Sequence, residues 1–541
     1  MSITLNRFPV LPTNLYGEDM FARPSASVAS FISGFRHSVL GSPVVVACIV
    51  VNVMMVYYIV IFFMKKNHIP AVGYPSWLGP WAGAIRFFYD SRRIINEGYR
   101  KYKGRTFRVP LWNEWTYIIT NQKCIDEMYH LPDDVLSLRH AAGEELQLPY
   151  TMGQQIEDNP YHLPVLRGRL TRHIEYLVKE CLDELPLAIE DDIGRHCGDQ
   201  WTEMNAFDVL TGVIARTFNR ILVGAPTCRS LHYTETCKSF AMKTSVVGFI
   251  INLFPSFLQP IVGRMTTQLP SQIRRSLQIL GPIIAERQAG MAEYGANWSD
   301  KPMDLLMWLM EAAQVDPVES QPERIAVRIL VINIATIHTT AASFVHAINN
   351  LMERQEFVEP LREEAEAAIQ KYGFVKNAMN AMPFSDGFFK ESSRLNALGT
   401  TSFPRKAMKD ISFSDGTTVP AGSYISSPFC VHYDEEFYPD PLKFDPARHM
   451  NETLSNGMAN NSSGMFRTNS HYLVFGHGKY PCVLSPGRFL ATYILKATMA
   501  HLLLNYDIKP SPQGRPSDML FQYNNGPNMR SSFMIRRRKL A

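Results

Sequence analysis

FGHGKYPCVLSPGRFLA, residues 475–491, is the stretch on which the fold turns. Gly476 and Gly478 let the backbone bend sharply and come close to a flat partner. From about Pro486 to Leu503 a helical run follows, and its free N–H groups point back toward Cys482, where they stabilise a thiolate. A single buried cysteine is more often packing than ligand. A cysteine set between a glycine turn and a helix start suits a permanent anionic ligand to a metal.

Two segments upstream sharpen this. KESSRLN (390–396) places Glu391 and Arg394 three residues apart on one helix face, the spacing of an internal ion pair and equally of a solvated surface pair. EEFYPDPLKFDPARH (435–449) then supplies Arg448. The order Glu-x-x-Arg, Pro-x-Arg, Phe-x-x-Gly-x-x-x-Cys resembles the cytochrome P450 superfamily of haem-thiolate enzymes. That resemblance implies that Glu391, Arg394 and Arg448 lock together behind a haem b. The iron would be bound by Cys482, with Phe475, Gly478 and Tyr480 of the loop beside it.

A long helix over 324–354 contains neither Gly nor Pro and is apolar nearly all round in its middle, so it should be buried across the domain. Its segment ATIHTT (335–340) is similar to the family's oxygen-site motif, with Thr336 in place of a small residue and His338 in place of an acid. This variant, with LPDDVLSLRHAAGEELQLPYTMG (131–153) and YHLPVLRGRLTR (161–172), resembles a fungal branch that oxidises terpenoids and other secondary metabolites. The likeness covers nearly all of residues 65–541. It implies Thr339 as the hydroxyl at the oxygen site, joined by Thr340. His338 reads as a proton relay or as a satisfied polar residue facing another helix. Haem propionates would meet His162, Arg167 and Arg405, each of which also reads as a solvated charge. Arg488, Lys496 and Lys479 would face an acidic electron donor. The RRRK at 536–539 reads as a solvated tail.

The loop departs from the family pattern in two places. Tyr480 stands where a cation is usual, and Val483–Ser485 separate Cys482 from Pro486. Three residues make about one helical turn. Either they extrude and the helix keeps its register, or they carry its amides away from the sulfur. Both outcomes stay open.

Composition sets the class. The 541 residues are 46% hydrophobic and 19% charged, an ordinary globular balance. A formal charge of +4 is too diffuse for nucleic acid. The eight cysteines form no CxxC pair and read mostly as buried thiols. Residues 43–64, PVVVACIVVNVMMVYYIVIFFM, carry no charge and are long enough to span a bilayer as a helix. Four regions are expected: an N-terminal segment 1–41, placed on the lumenal side by the positive-inside rule; an anchor 42–64; a Pro/Gly-rich linker 65–80; and a catalytic domain 81–541. The fold class is α+β, mainly helical, a cytochrome P450 fold behind one transmembrane helix. A second apolar run, 245–263, is broken by Pro255 and Pro260 and reads as a monotopic membrane contact or a buried helix pair.

The resemblance implies a monooxygenase of the endoplasmic reticulum membrane with a cytosolic catalytic domain. It would oxidise a lipophilic small molecule with O₂. Electrons would come from NADPH–cytochrome P450 reductase, with cytochrome b5 as a second donor, because the chain has no evident dinucleotide fingerprint. Two alternatives remain: desaturation, rearrangement or dehydration at the same centre, and a chain impaired by the Val483–Ser485 insert.

Overall fold

The computed structural model describes residues 53–54, 56–57, 68–73, 80–111, 114–450, 464–478 and 487–539. Of the charge-free segment, Val53, Met54, Val56 and Tyr57 are described and helical; the rest of the expected anchor, and Tyr480, Cys482 and Val483–Ser485, lie outside the described residues. Everything below concerns the body Met64–Ala541.

The long helices follow local signals. α1 (Pro80–Tyr102) starts on proline, which loses nothing at a helix N-terminus, and ends on Arg100 and Lys101, favourable at the negative end of the dipole. α2 (Gln122–His130) is capped by Asn121, which accepts from the Lys123 and Cys124 amides. α3 (Leu138–Leu146) is capped by Ser137. After α4 (Ile174–Asp192) come α5 (Ala206–Leu222), capped by Asn205, and α6 (Leu231–Asn252), capped by Ser230. Then follow α7 (Leu269–Tyr294), α8 (Pro322–Glu353), α9 (Val358–Tyr372), α10 (Pro383–Leu395) and α11 (Gly487–Asn505). At 32 residues α8 runs about 48 Å and threads the main core, as its apolar middle requires. It packs on α5, α6, α7, α10 and α11.

The strands are short. β1 (Phe107–Pro110), β2 (Trp115–Ile118) and β3 (Leu136–Ser137) precede β4 (Thr202–Asn205). β5 (Arg405–Ala407), β6 (Ile411–Ser412), β7 (Thr418–Val419) and β8 (Tyr424–Ser426) follow α10. β9 (Tyr506–Pro510), β10 (Met519–Phe521), β11 (Asn524–Gly526) and β12 (Ser532–Arg537) close the chain. The largest sheet has the order β1-β2-β8-β5-β3, with β2 and β8 parallel and the other pairs antiparallel. β4-β12-β9 form a second sheet. β6 and β7 pair Ile411 with Val419 around Asp415-Gly416, the hairpin that the turn dipeptide announces.

Two sequence expectations need correction, and a third, open between two readings, is narrowed. The sequence of 165–184 predicts one helix, but the chain is interrupted there: His162–Val165 leads into a wider turn at Leu166–Leu170, and α4 begins only at Ile174. Gly168 weakens the helix there, while Leu166 and Leu170 stay buried across the turn. The RRRK segment is no tail, since Arg536 and Arg537 end β12 and pair with Asp507 and Glu190. The run 245–263 is not simply a buried helix pair. Val247 and Ile251 are buried at the end of α6, but Phe257 and Ile261 are 55% and 57% exposed. The described cysteines Cys124, Cys181, Cys197, Cys228, Cys237 and Cys430 are all free and buried.

Candidate active site

Glu391 stands at the centre of a buried ionic cluster. Its carboxylate takes two bonds from Arg394, from Nη2 and Nε, both at 2.8 Å. Arg448 Nε donates at 3.1 Å, and the Asp445 amide donates at 3.1 Å. His449 Nε2 lies 2.9 Å from the second oxygen. Burial by itself would raise the Glu391 pKa; the bonds from Arg394 and His449 outweigh it and hold it at about 2. Glu391 and Arg394 are 0% exposed, so this is the internal pair and not the surface one.

The cluster reaches the cysteine loop through backbone. Arg394 also donates to the carbonyls of Pro441, at 2.7 Å, and His432. The His432 ring is fully buried, its pKa lowered to about 3 by burial and by the Arg394 charge. Its Nε2 accepts the Leu473 amide at 3.1 Å, two residues before Phe475. His432 and His449 escape the sequence reading. His449 had a signal in its adjacency to Arg448, whereas His432 comes into play only when the chain folds back.

Beyond Leu473, Phe475 is half-buried against the main core. Gly478 has φ +77°, and a Cβ there would lie 2.3 Å from the Tyr129 carbonyl oxygen, so only glycine fits. Tyr129 lies in the last turn of α2, with the His477 ring edge-on to it at 5.9 Å and the Arg405 guanidinium 4.8 Å over its face. Arg405 is 4% exposed, and burial lowers its pKa. Tyr129 therefore brings Arg405 and the loop together across more than seventy residues of chain in each case.

On α8 the candidates separate. Ala335 and Thr339, one turn apart, are exposed in the middle of a helix whose other faces are buried. Thr339 Oγ1 donates to the Ala335 carbonyl at 2.9 Å, and Thr336 and Ser343 bond back in the same way. Thr340 is buried, 6% exposed. His338 turns toward α6, its Nε2 3.4 Å from the Lys238 carbonyl, and burial lowers its pKa.

His162 is buried on a different partner. Its Nδ1 lies 3.0 Å from Arg328 Nη1, and burial, then the Arg328 charge, push its pKa to about 3. A guanidinium only donates, so Nδ1 accepts and the proton of the neutral ring sits on Nε2. Arg328 is itself fully buried, bonded to Glu319 at 2.6 Å and stacked 4.0 Å from the Tyr161 ring. Arg167 is exposed on the turn after His162. Lys496 is not on a donor-facing surface: it is 3% exposed and bonded to Asp386 at 2.8 Å.

These residues fit a flat, dianionic group. An accessible hydroxyl-bearing stripe crosses a buried helix, a buried arginine lies over Tyr129, and a glycine-only turn leads toward Cys482. Helix, Glu-x-x-Arg cluster and glycine turn agree with the cytochrome P450 resemblance of the sequence. A family model for cytochrome P450 matches residues 156–529. Cytochrome P450 monooxygenase 151 of Postia placenta is 35% identical over 87% of this chain and 94% of its own length. Cytochrome P450 monooxygenase AN1598 of Emericella nidulans is 31% identical over 88% and 89%. Ent-kaurene oxidase of Gibberella intermedia is 30% identical over 87% and 88%. The chain belongs to the cytochrome P450 family and is a monooxygenase of it.

Proposed function

We propose that the chain inserts one oxygen atom from O₂ into a lipophilic secondary metabolite, terpenoids being the first class to test. It would use haem b ligated by Cys482. The reading rests on one observation above all: the fully buried Glu391–Arg394 pair is wired through His432 to the start of the cysteine loop. When bound, the haem supplies oxygen activation by a thiolate-ligated iron.

The protein's own groups do the rest. Thr339, accessible and among the described residues bonded only to a carbonyl of its own helix, can turn its hydroxyl outward and move a proton at Oγ1. His338 and Thr340 support α8 from its buried sides. Arg405 and the Nε2–H of His162 are the donors proposed for the propionates. Residues 43–64 are proposed as a single membrane anchor, which suits a lipophilic substrate, and NADPH–cytochrome P450 reductase as the electron donor.

The test is spectroscopic and chemical. Purified protein supplied with haem should give a thiolate-type Soret band when reduced under CO, and Cys482→Ser should lose it. Turnover under labelled O₂ should place one labelled oxygen in the product. Product without label would replace insertion by desaturation or rearrangement. Deleting Val483–Ser485 should leave haem occupancy near the parent level, and a large gain would show that the insert impairs the chain.

A further inference from the structure

An aromatic cavity of about 110 Å³ lies where α1, α3, α6 and the turn between β10 and β11 converge, and its lining includes no described residue of the cysteine loop. Phe88, Phe249, Tyr424 and Tyr523 line it, and Pro404, the residue before Arg405, forms part of its wall. The Phe88 and Phe249 rings meet edge-on at 5.9 Å, with Phe521 behind them, 4.8 Å from Phe249. Its volume is roughly that of a benzene-sized cavity, room for a head group and not for a whole metabolite.

One carboxyl in this wall has no counter-charge. Glu145 is hydrogen-bonded to the Tyr523 phenol and pairs with no cation among the described residues. Burial raises its pKa to about 7. Its titratable neighbours are Glu114 and Glu144, which also line the cavity, and the phenols of Tyr424 and Tyr523. Tyr424 donates to Glu144 at 2.6 Å, and Lys406, the cation at this edge, is bound to Glu144 as well. The lining thus offers ring faces and acids, with no basic side chain among its described residues.

We propose that this cavity binds the ammonium group of a lipophilic amine, with Glu145 as its counter-ion and the aromatic rings around its methyl or methylene groups. Resting on the monooxygenase reading, this assigns a cationic nitrogen to the substrate. Ring faces attract an ammonium through their quadrupole, and a carboxyl that burial keeps partly neutral becomes ionised when such a charge arrives. A neutral ligand would gain the rings but leave Glu145 uncompensated.

The probe is phenylpropyltrimethylammonium, compared with its uncharged tert-butyl isostere by equilibrium dialysis against the full-length holoprotein. Its quaternary nitrogen has no lone pair and cannot ligate iron. The wild type should prefer the cation by about tenfold or more, the scale of a desolvated cation–π contact. Glu145→Gln should bring the two affinities within about threefold while changing that of the isostere little. Should that variant not fold, Phe249→Leu should still reduce the preference. Equal wild-type affinities, or a preference untouched by Glu145→Gln, would overturn the proposal. A CO spectrum of the same sample separates the two readings: a cation preference without a thiolate band would keep the subsite and sink the haem assignment.

Discussion

Glu391 gathers two arginines and a buried histidine on one carboxylate. Removing its charge leaves Arg394 buried with no anion, so Glu391→Gln should destabilise the fold by about 3–5 kcal/mol. Urea unfolding of the haem-loaded protein measures this, and a loss under about 1 kcal/mol would mean that the cluster relaxes into water. Gly478 makes a second prediction with an internal control. Gly416 has a positive φ of +84° with open space around it, and Gly478 has a similar φ against the Tyr129 carbonyl. Gly416→Ala should cost about 1–3 kcal/mol for conformation alone. Gly478→Ala must also displace backbone and should lose more, together with haem occupancy. Equal effects would show that the loop yields freely.

At the scale of elements, α8 joins two tasks. Its middle exposes Thr339, and near its start Arg328 joins Glu319, His162 and Tyr161. Thr339→Ala removes an exposed hydroxyl bonded only to its own helix, so stability should hardly change while turnover falls by about 10²-fold or more. His338→Ala should fall by much less, because that ring faces α6. Product formed per NADPH consumed is the measurement, and equal losses would return His338 to the oxygen site. Much of this layout was legible in the sequence. α8 begins two residues before its expected start, because period and caps are local. The break after Val165 was not, since a wider turn depends on which of Leu166 and Leu170 must be buried. Lys496 was misread for a related reason: a lysine in a sequence shows its charge but not the Asp386 that folds against it. Order and spacing marked Glu391, Arg394 and Arg448, which the fold brings together. They did not tell that His432 carries the link from Arg394 to Leu473.

For the whole molecule, the buried histidines set the response to acid. His162 and His432 have pKa values near 3, and His346 near 4, all lowered chiefly by burial. An unfolded chain takes up protons on these rings below about pH 6.5, whereas the native state stays neutral until pH 3–4. Between those limits the unfolded state binds more protons, so stability falls as pH falls, by about 1.4 kcal/mol per pH unit for each ring. Glu391 acts lower down: its depressed pKa supports the fold above the ordinary carboxylate range, and that support disappears only as pH drops through about 2. Glu145 opposes the trend, because with its pKa raised to about 7 the native state binds its proton first and gains stability as pH falls toward the unfolded value. Three rings against one carboxyl leave a net loss. The urea midpoint of the haem-loaded protein should therefore drop steeply between pH 6.5 and 5, well before Glu391 protonates. His346→Gln, which removes one of the three rings and leaves two against the Glu145 carboxyl, should make that slope shallower by about half. A midpoint that stays level across this range would mean that the three rings already carry protons in the native fold.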